Sequence, residues 1–136
     1  MTIDQEINQV LTLSRTIAMV GASDKPYRDS HRVMSFLQFK GYRVIPVNPR
    51  LAGLTMLGEK VYASLTDIPE PFDMVDIFRR SETVTEIVKE ALTTDAKVIW
   101  MQLGVINEEA AEMARSAGLT VIMDHCPKIE LERRGR

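Results

Sequence analysis

Apolar residues along this chain switch between two spacings. Ile3, Ile7, Val10 and Leu11, with Ser14, recur at helical intervals, predicting an amphipathic helix within residues 1–15. Thr16-Ile17-Ala18-Met19-Val20 is instead a continuous short run, the pattern of a strand covered on both faces, as in a parallel sheet. Val33, Phe36 and Leu37 return to helical spacing, with Ser30 as candidate N-cap and Gly41 placed to end the helix. Further strands are predicted at 42–47, 73–78, 98–101 and 119–123. A long connection covers 48–72. Ser81 opens a helix carrying Val84, Ile87, Val88 and Leu92. Asn107 caps another that begins with Glu108 and Glu109 and stops before Gly118.

Strands alternating with helices call for a parallel sheet with right-handed crossovers. The expected fold is α/β: a Rossmann-like three-layer domain with a five-stranded parallel sheet of order 3-2-1-4-5. Residues 1–136 read as one such domain. The charged end, Glu130 to Arg136, makes residues 131–136 a solvated, flexible tail.

Three segments fall where predicted strands end: Val20-Gly21-Ala22-Ser23, Val47-Asn48-Pro49-Arg50 and Ile77-Phe78-Arg79-Arg80. In an open parallel sheet the loops at the carboxyl ends of the strands form the ligand crevice. The first loop offers small residues that let a ligand approach the backbone, and the other two offer arginines suited to phosphate. Lys25 and Arg28 follow the first strand and Lys128 the last, so cations gather on one edge. A phosphorylated, nucleotide-like small molecule is the expected ligand.

Composition narrows the picture. The net charge of -2 argues against a nucleic-acid partner, no apolar run is long enough to span a bilayer, and the first residues lack a signal-peptide pattern. A cytoplasmic location is expected. Cys126 is the only cysteine, which excludes an internal disulfide and a cysteine-based zinc site. Only the first glycine of the dinucleotide fingerprint is present, and Asn48-Pro49 stands where an acid would meet a ribose diol, which disfavours NAD. Gly53 to Lys60 resembles a phosphate-binding P-loop, but Glu59 occupies the lysine position.

Taken together, several motifs resemble the small bacterial CoA-binding proteins of the YccU-like family. They are Val20-Gly21-Ala22-Ser23 with Pro26, Arg28 and Ser30; Gly41-Tyr42 with Pro46-Val47-Asn48-Pro49; and Tyr62-Ala63-Ser64-Leu65. Phe78-Arg79-Arg80-Ser81, Trp100-Met101-Gln102-Leu103-Gly104 and Cys126-Pro127-Lys128-Ile129-Glu130 complete the set. His125 departs from it, standing where the family more often has arginine. The resemblance implies a fold similar to the CoA-binding domain of the succinyl-CoA synthetase α subunit, with coenzyme A or an acyl-CoA as ligand. It implies that Gly21-Ala22-Ser23 meets the pyrophosphate, while Asn48-Pro49-Arg50, Phe78-Arg79 and Gln102-Leu103-Gly104 line the rest. No counterpart of the synthetases' domain with a phosphorylated histidine is apparent, and neither His31 nor His125 pairs with a nucleophile in sequence. The expectation is a noncatalytic binding, carrier or sensor module. The alternatives are an NADP-dependent oxidoreductase, for which Arg50 would accept a 2′-phosphate, and a component of an acyl-CoA ligase.

Overall fold

A computed structural model describes residues 1–136. Helix α1 (Ile3–Leu13) starts at a capping box: Thr2 Oγ1 accepts from the Gln5 N–H, and the Gln5 side chain accepts from the Thr2 N–H. Strand β1 (Thr16–Val20) follows, then α2 (Asp29–Phe39), β2 (Arg43–Val47), a hairpin of β3 (Thr55–Met56) and β4 (Glu59–Lys60), and β5 (Met74–Ile77). The chain continues through α3 (Val84–Ala91), β6 (Val98–Met101), α4 (Glu108–Ser116), β7 (Thr120–Ile122) and α5 (Pro127–Arg133).

The main sheet is five-stranded and wholly parallel, in the order β2-β1-β5-β6-β7. A parallel bridge between Val47 and Tyr62 lays one more segment beside β2. Counted from that segment, the sheet follows the 3-2-1-4-5 pattern, with β7 in a sixth place at the far edge. The Tyr62 segment holds the third place. The 73–78 run, as β5, holds the fourth, on the far side of β1, between β1 and β6. Burial explains the placement: all four β5 residues are buried, as suits an interior strand with neighbours on both edges and layers on both faces.

Alternating side chains divide the core between the two faces of the sheet. Ala18, Val75, Ile77, Ile99 and Val121 pack with Val84, Val88, Ala91, Ala110 and Ala114 beneath α3 and α4. Ile17, Met19, Met74, Trp100 and Ile122 pack with Ile7, Leu11, Met34, Leu37 and Leu131 under α1, α2 and α5. Helices on both faces leave the strand ends open at the edge where the site loops emerge.

Several local expectations change. Ser30 lies inside α2 rather than at its N-cap; Arg28 holds that position, with no side-chain cap hydrogen bond. Ser81 begins a 3₁₀ turn (Ser81–Thr83) that leads into α3. The P-loop-like stretch forms the β3–β4 hairpin, turning at Leu57 and Gly58 with positive φ at both. The final residues do not form a solvated tail. Residues 131–133 belong to α5, Leu131 is buried, and Arg136 donates to Asn8 and Thr12 on α1. The acids and bases that make this segment look solvated instead pair with the body of the protein. No helix is long and apolar enough to cross a membrane.

Candidate functional site

Loop β1–α2 is drawn tightly against its neighbours. Gly21 adopts φ +87°, and the Gly21 and Ala22 N–H groups both donate to the Val47 carbonyl, at 3.0 and 3.3 Å. The Ser23 N–H donates to Ser30 Oγ at 3.0 Å, and Ser23 Oγ accepts from the Lys25 N–H. A Cβ on Gly21 would lie 2.2 Å from the Phe78 carbonyl oxygen. Glycine is therefore required here by the approach of the β5 loop, a reason within the protein that the turn alone does not reveal.

Loop β2–β3 is tied to the first. Asn48 Nδ2 donates to the Ala22 carbonyl at 2.8 Å, while Asn48 Oδ1 accepts from the Arg50 N–H at 2.9 Å in an Asx turn. Asn48 thus locks two loops in register, and the Arg50 side chain is left exposed at their rim.

These loops border a depression of about 730 Å³ that takes in Gly21, Ala22, Ser23, Lys25, Arg28, Asn48 and Arg50, with Phe78 at its edge. A second cleft of about 680 Å³ is lined by Phe78, Arg79, Gln102, Leu103, Cys126 and Ile129, among others. Asp29 and Phe78 line both, so the two adjoin as one crevice: one end is walled by small residues, the other is half-apolar, and cations stand along both. Pro49 and Gly104 line neither cavity. Pro49 is exposed, and Gly104 turns the loop with φ +79° while its N–H donates to Asp124 at 2.7 Å.

Lys25, Arg28, Arg50, Arg79 and Arg80 have no carboxylate within ion-pairing distance. Single unpaired cations are ordinary on a surface; five around one crevice give it a positive field. The uncapped start of α2 opens beside them, where Asp29 and Ser30 line the wall. Free N–H groups of a helix's first turn favour an anion.

Three features escape the sequence pattern. Asp29 and Arg32 join the crevice wall because α2 begins there, earlier than Ser30 suggested. Cys126 is buried yet lines the cleft. Asp76 lies at the centre of the sheet between Met19 and Trp100, with neither carboxylate oxygen hydrogen-bonded. Burial raises its pKa well above the ordinary 3.8. The signal for Asp76 was a lone acid inside the apolar run Met74-Val75-Asp76-Ile77. No group of three or more histidine, cysteine or acidic side chains is placed to hold a metal.

Residues 15–132 match the family model described as a CoA binding domain, and the chain belongs to that family. It is 48% identical over 124 residues to the uncharacterized protein YneT of Bacillus subtilis, covering 91% of this chain and 90% of that one. A solved structure of a hypothetical protein from Pyrococcus horikoshii is 41% identical, with a TM-score of 0.91 over 98% of this chain and 92% of that one. The α subunit of an ADP-forming acetate–CoA ligase from Pyrococcus furiosus is 27% identical over 122 residues, 79% of this chain. The match spans only 26% of that subunit.

Proposed function

We propose that the crevice binds coenzyme A or an acyl-CoA, and that the protein acts in the cytoplasm as a binding, carrier or sensor module. The observation that carries this reading is the joined crevice: a small-residue end adjoins a half-apolar cleft at Phe78, with cations along both. A ligand with phosphates at one end and a long, weakly polar arm at the other has the matching chemistry. Lys25, Arg28, Arg50 and Arg79 supply charge to the phosphates, and charge-assisted contacts of this kind are the stronger ones. The pyrophosphate lies against Gly21-Ala22-Ser23 and the open start of α2. Because the Gly21, Ala22 and Ser23 N–H groups are already engaged, the helix start and the cations carry more of that contact than the loop backbone does. Gln102 and Leu103 border the arm, while Asn48, Pro49 and Gly104 shape the loops. The family match and the partial likeness to an acetate–CoA ligase subunit support the same ligand class.

Melting curves with CoA, acetyl-CoA, NAD and NADP test the reading. A ligand at 100 times its dissociation constant adds about 2.7 kcal/mol, so CoA or acetyl-CoA is expected to raise Tm clearly and NAD to do so less. Arg50→Ala and Arg79→Ala are each expected to weaken CoA binding by about tenfold, the equivalent of ~1.4 kcal/mol, with little change in unliganded stability. A larger shift with NADP than with CoA would give the crevice to an oxidoreductase cofactor, with Arg50 on the 2′-phosphate. Equal shifts with NAD and CoA would remove the reading.

A further inference from the structure

The half-apolar cleft is lined by the chain's only cysteine. Cys126 is 6% exposed and forms part of the cleft wall with Phe78, Leu103 and Ile129. On the same wall Gln102 is also 6% exposed, and its Oε1 accepts no hydrogen bond. A buried acceptor left without a donor is uncommon in a folded protein and calls for a partner. The arm of a CoA-type ligand carries secondary amide N–H groups and ends in a thiol. Held by an amide at Gln102, it would bring its sulfur into the same cleft that Cys126 lines.

We infer that Cys126 is a thiol–disulfide exchange site, where the protein captures the disulfide form of its own ligand as a mixed disulfide. This rests on the CoA reading of the crevice. In the reaction the Cys126 thiol gives up its proton, and its Sγ attacks one sulfur of the ligand disulfide. The ligand S–S bond breaks as the Cys126 Sγ–S bond forms, and the departing thiolate takes up a proton. One disulfide is consumed and one is made, so no further oxidant enters. Binding at the phosphate end holds the reacting sulfur near Cys126, which makes the exchange effectively intramolecular. A small disulfide without the nucleotide gains no such advantage at a thiol so little exposed.

The reduced, full-length protein is incubated with CoA disulfide or glutathione disulfide at equal concentration, and adducts are followed by intact mass. CoA disulfide is expected to add one CoA moiety, removable by dithiothreitol, at least about a hundredfold faster than glutathione disulfide adds its own. Excess adenosine 3′,5′-bisphosphate, which occupies only the phosphate end, is expected to slow the CoA reaction and leave the glutathione reaction unchanged. Equal rates for the two disulfides, or no effect of the bisphosphate, would overturn the inference. Melting with CoA separates the two levels. A Tm shift without an adduct removes the role of Cys126 alone, whereas no shift and no adduct removes the CoA reading with it.

Discussion

Gly21 shows how much one missing side chain decides. Its φ of +87° is strained for any L-residue, and a Cβ would also meet the Phe78 carbonyl. Gly41 shares the first constraint, at φ +98°, but a Cβ there meets nothing within 4 Å. Gly41→Ala is therefore expected to lose only the backbone term, of order 1 kcal/mol. Gly21→Ala should lose clearly more, because the β1 and β5 loops must part to admit the methyl group. Chemical denaturation of the two variants separates strain from collision. Equal losses would show that the approach of Phe78 does not set the requirement. Asn48 works by the same local logic: one side chain satisfies the Ala22 carbonyl and the Arg50 N–H, so two loops from separate strands move as a unit.

Among the elements, α5 is the one whose attachment depends most on charge. Glu130 is almost wholly buried; Arg134 donates to its Oε1 at 2.8 Å, and His125 Nδ1 lies 3.3 Å from its Oε2. Burial pushes the Glu130 pKa up, but the hydrogen bonds from Arg134 and His125 and the charge of Arg133 outweigh it and hold it below the ordinary 4.5. Arg134 also donates to the Asp4 carbonyl, tying α5 to α1. A carboxylate whose pKa is lowered by folding stabilises the fold above its unfolded value, and that contribution is lost as pH falls through 4.5 and below. Glu130→Gln is expected to lose roughly 1–3 kcal/mol at neutral pH, since Arg134 then faces a neutral partner. The gap to the parent should close on acidification, measured by denaturation across pH. A gap independent of pH would mean that the side chain holds α5 by packing rather than by charge.

For the whole molecule, Asp76 pulls the other way. Its folded pKa lies above the unfolded value of 3.8, so in acid both states hold the proton and burial carries no ionisation penalty. As pH rises past 3.8 the unfolded chain ionises first, and stability falls until the folded carboxyl ionises too. Asp76→Asn removes that loss without changing the shape of the centre of the sheet. Relative to the parent, the variant should gain stability steadily from acid to neutral pH, as read from Tm. A constant difference would show that Asp76 finds a partner that keeps its pKa ordinary.

The elements visible in the sequence are those whose signal lies within a few residues. Helical spacing marked α1, α2 and α3, continuous apolar runs marked the five main strands, and Asn107 marked the start of α4, where its Oδ1 accepts from the Ala110 N–H. The three loops at the strand ends were also legible, because a strand's end and the residues after it are adjacent in the chain. What depended on distant partners was not. The place of β5 beside β1, the Tyr62 bridge, the docking of residues 131–136, and the use of the Gly21 and Ala22 N–H groups by Val47 all join segments far apart in sequence. Hydrophobic periodicity specifies which face of an element is buried, whereas strand neighbours and loop contacts are settled by how the packed layers close. Local sequence patterns were enough for the alternating α/β layers and the cationic edge. That this edge adjoins a cleft lined by Gln102 and Cys126 depends on the packed fold, because Phe78, Gln102 and Cys126 come from three different strand–helix units brought together by the parallel sheet.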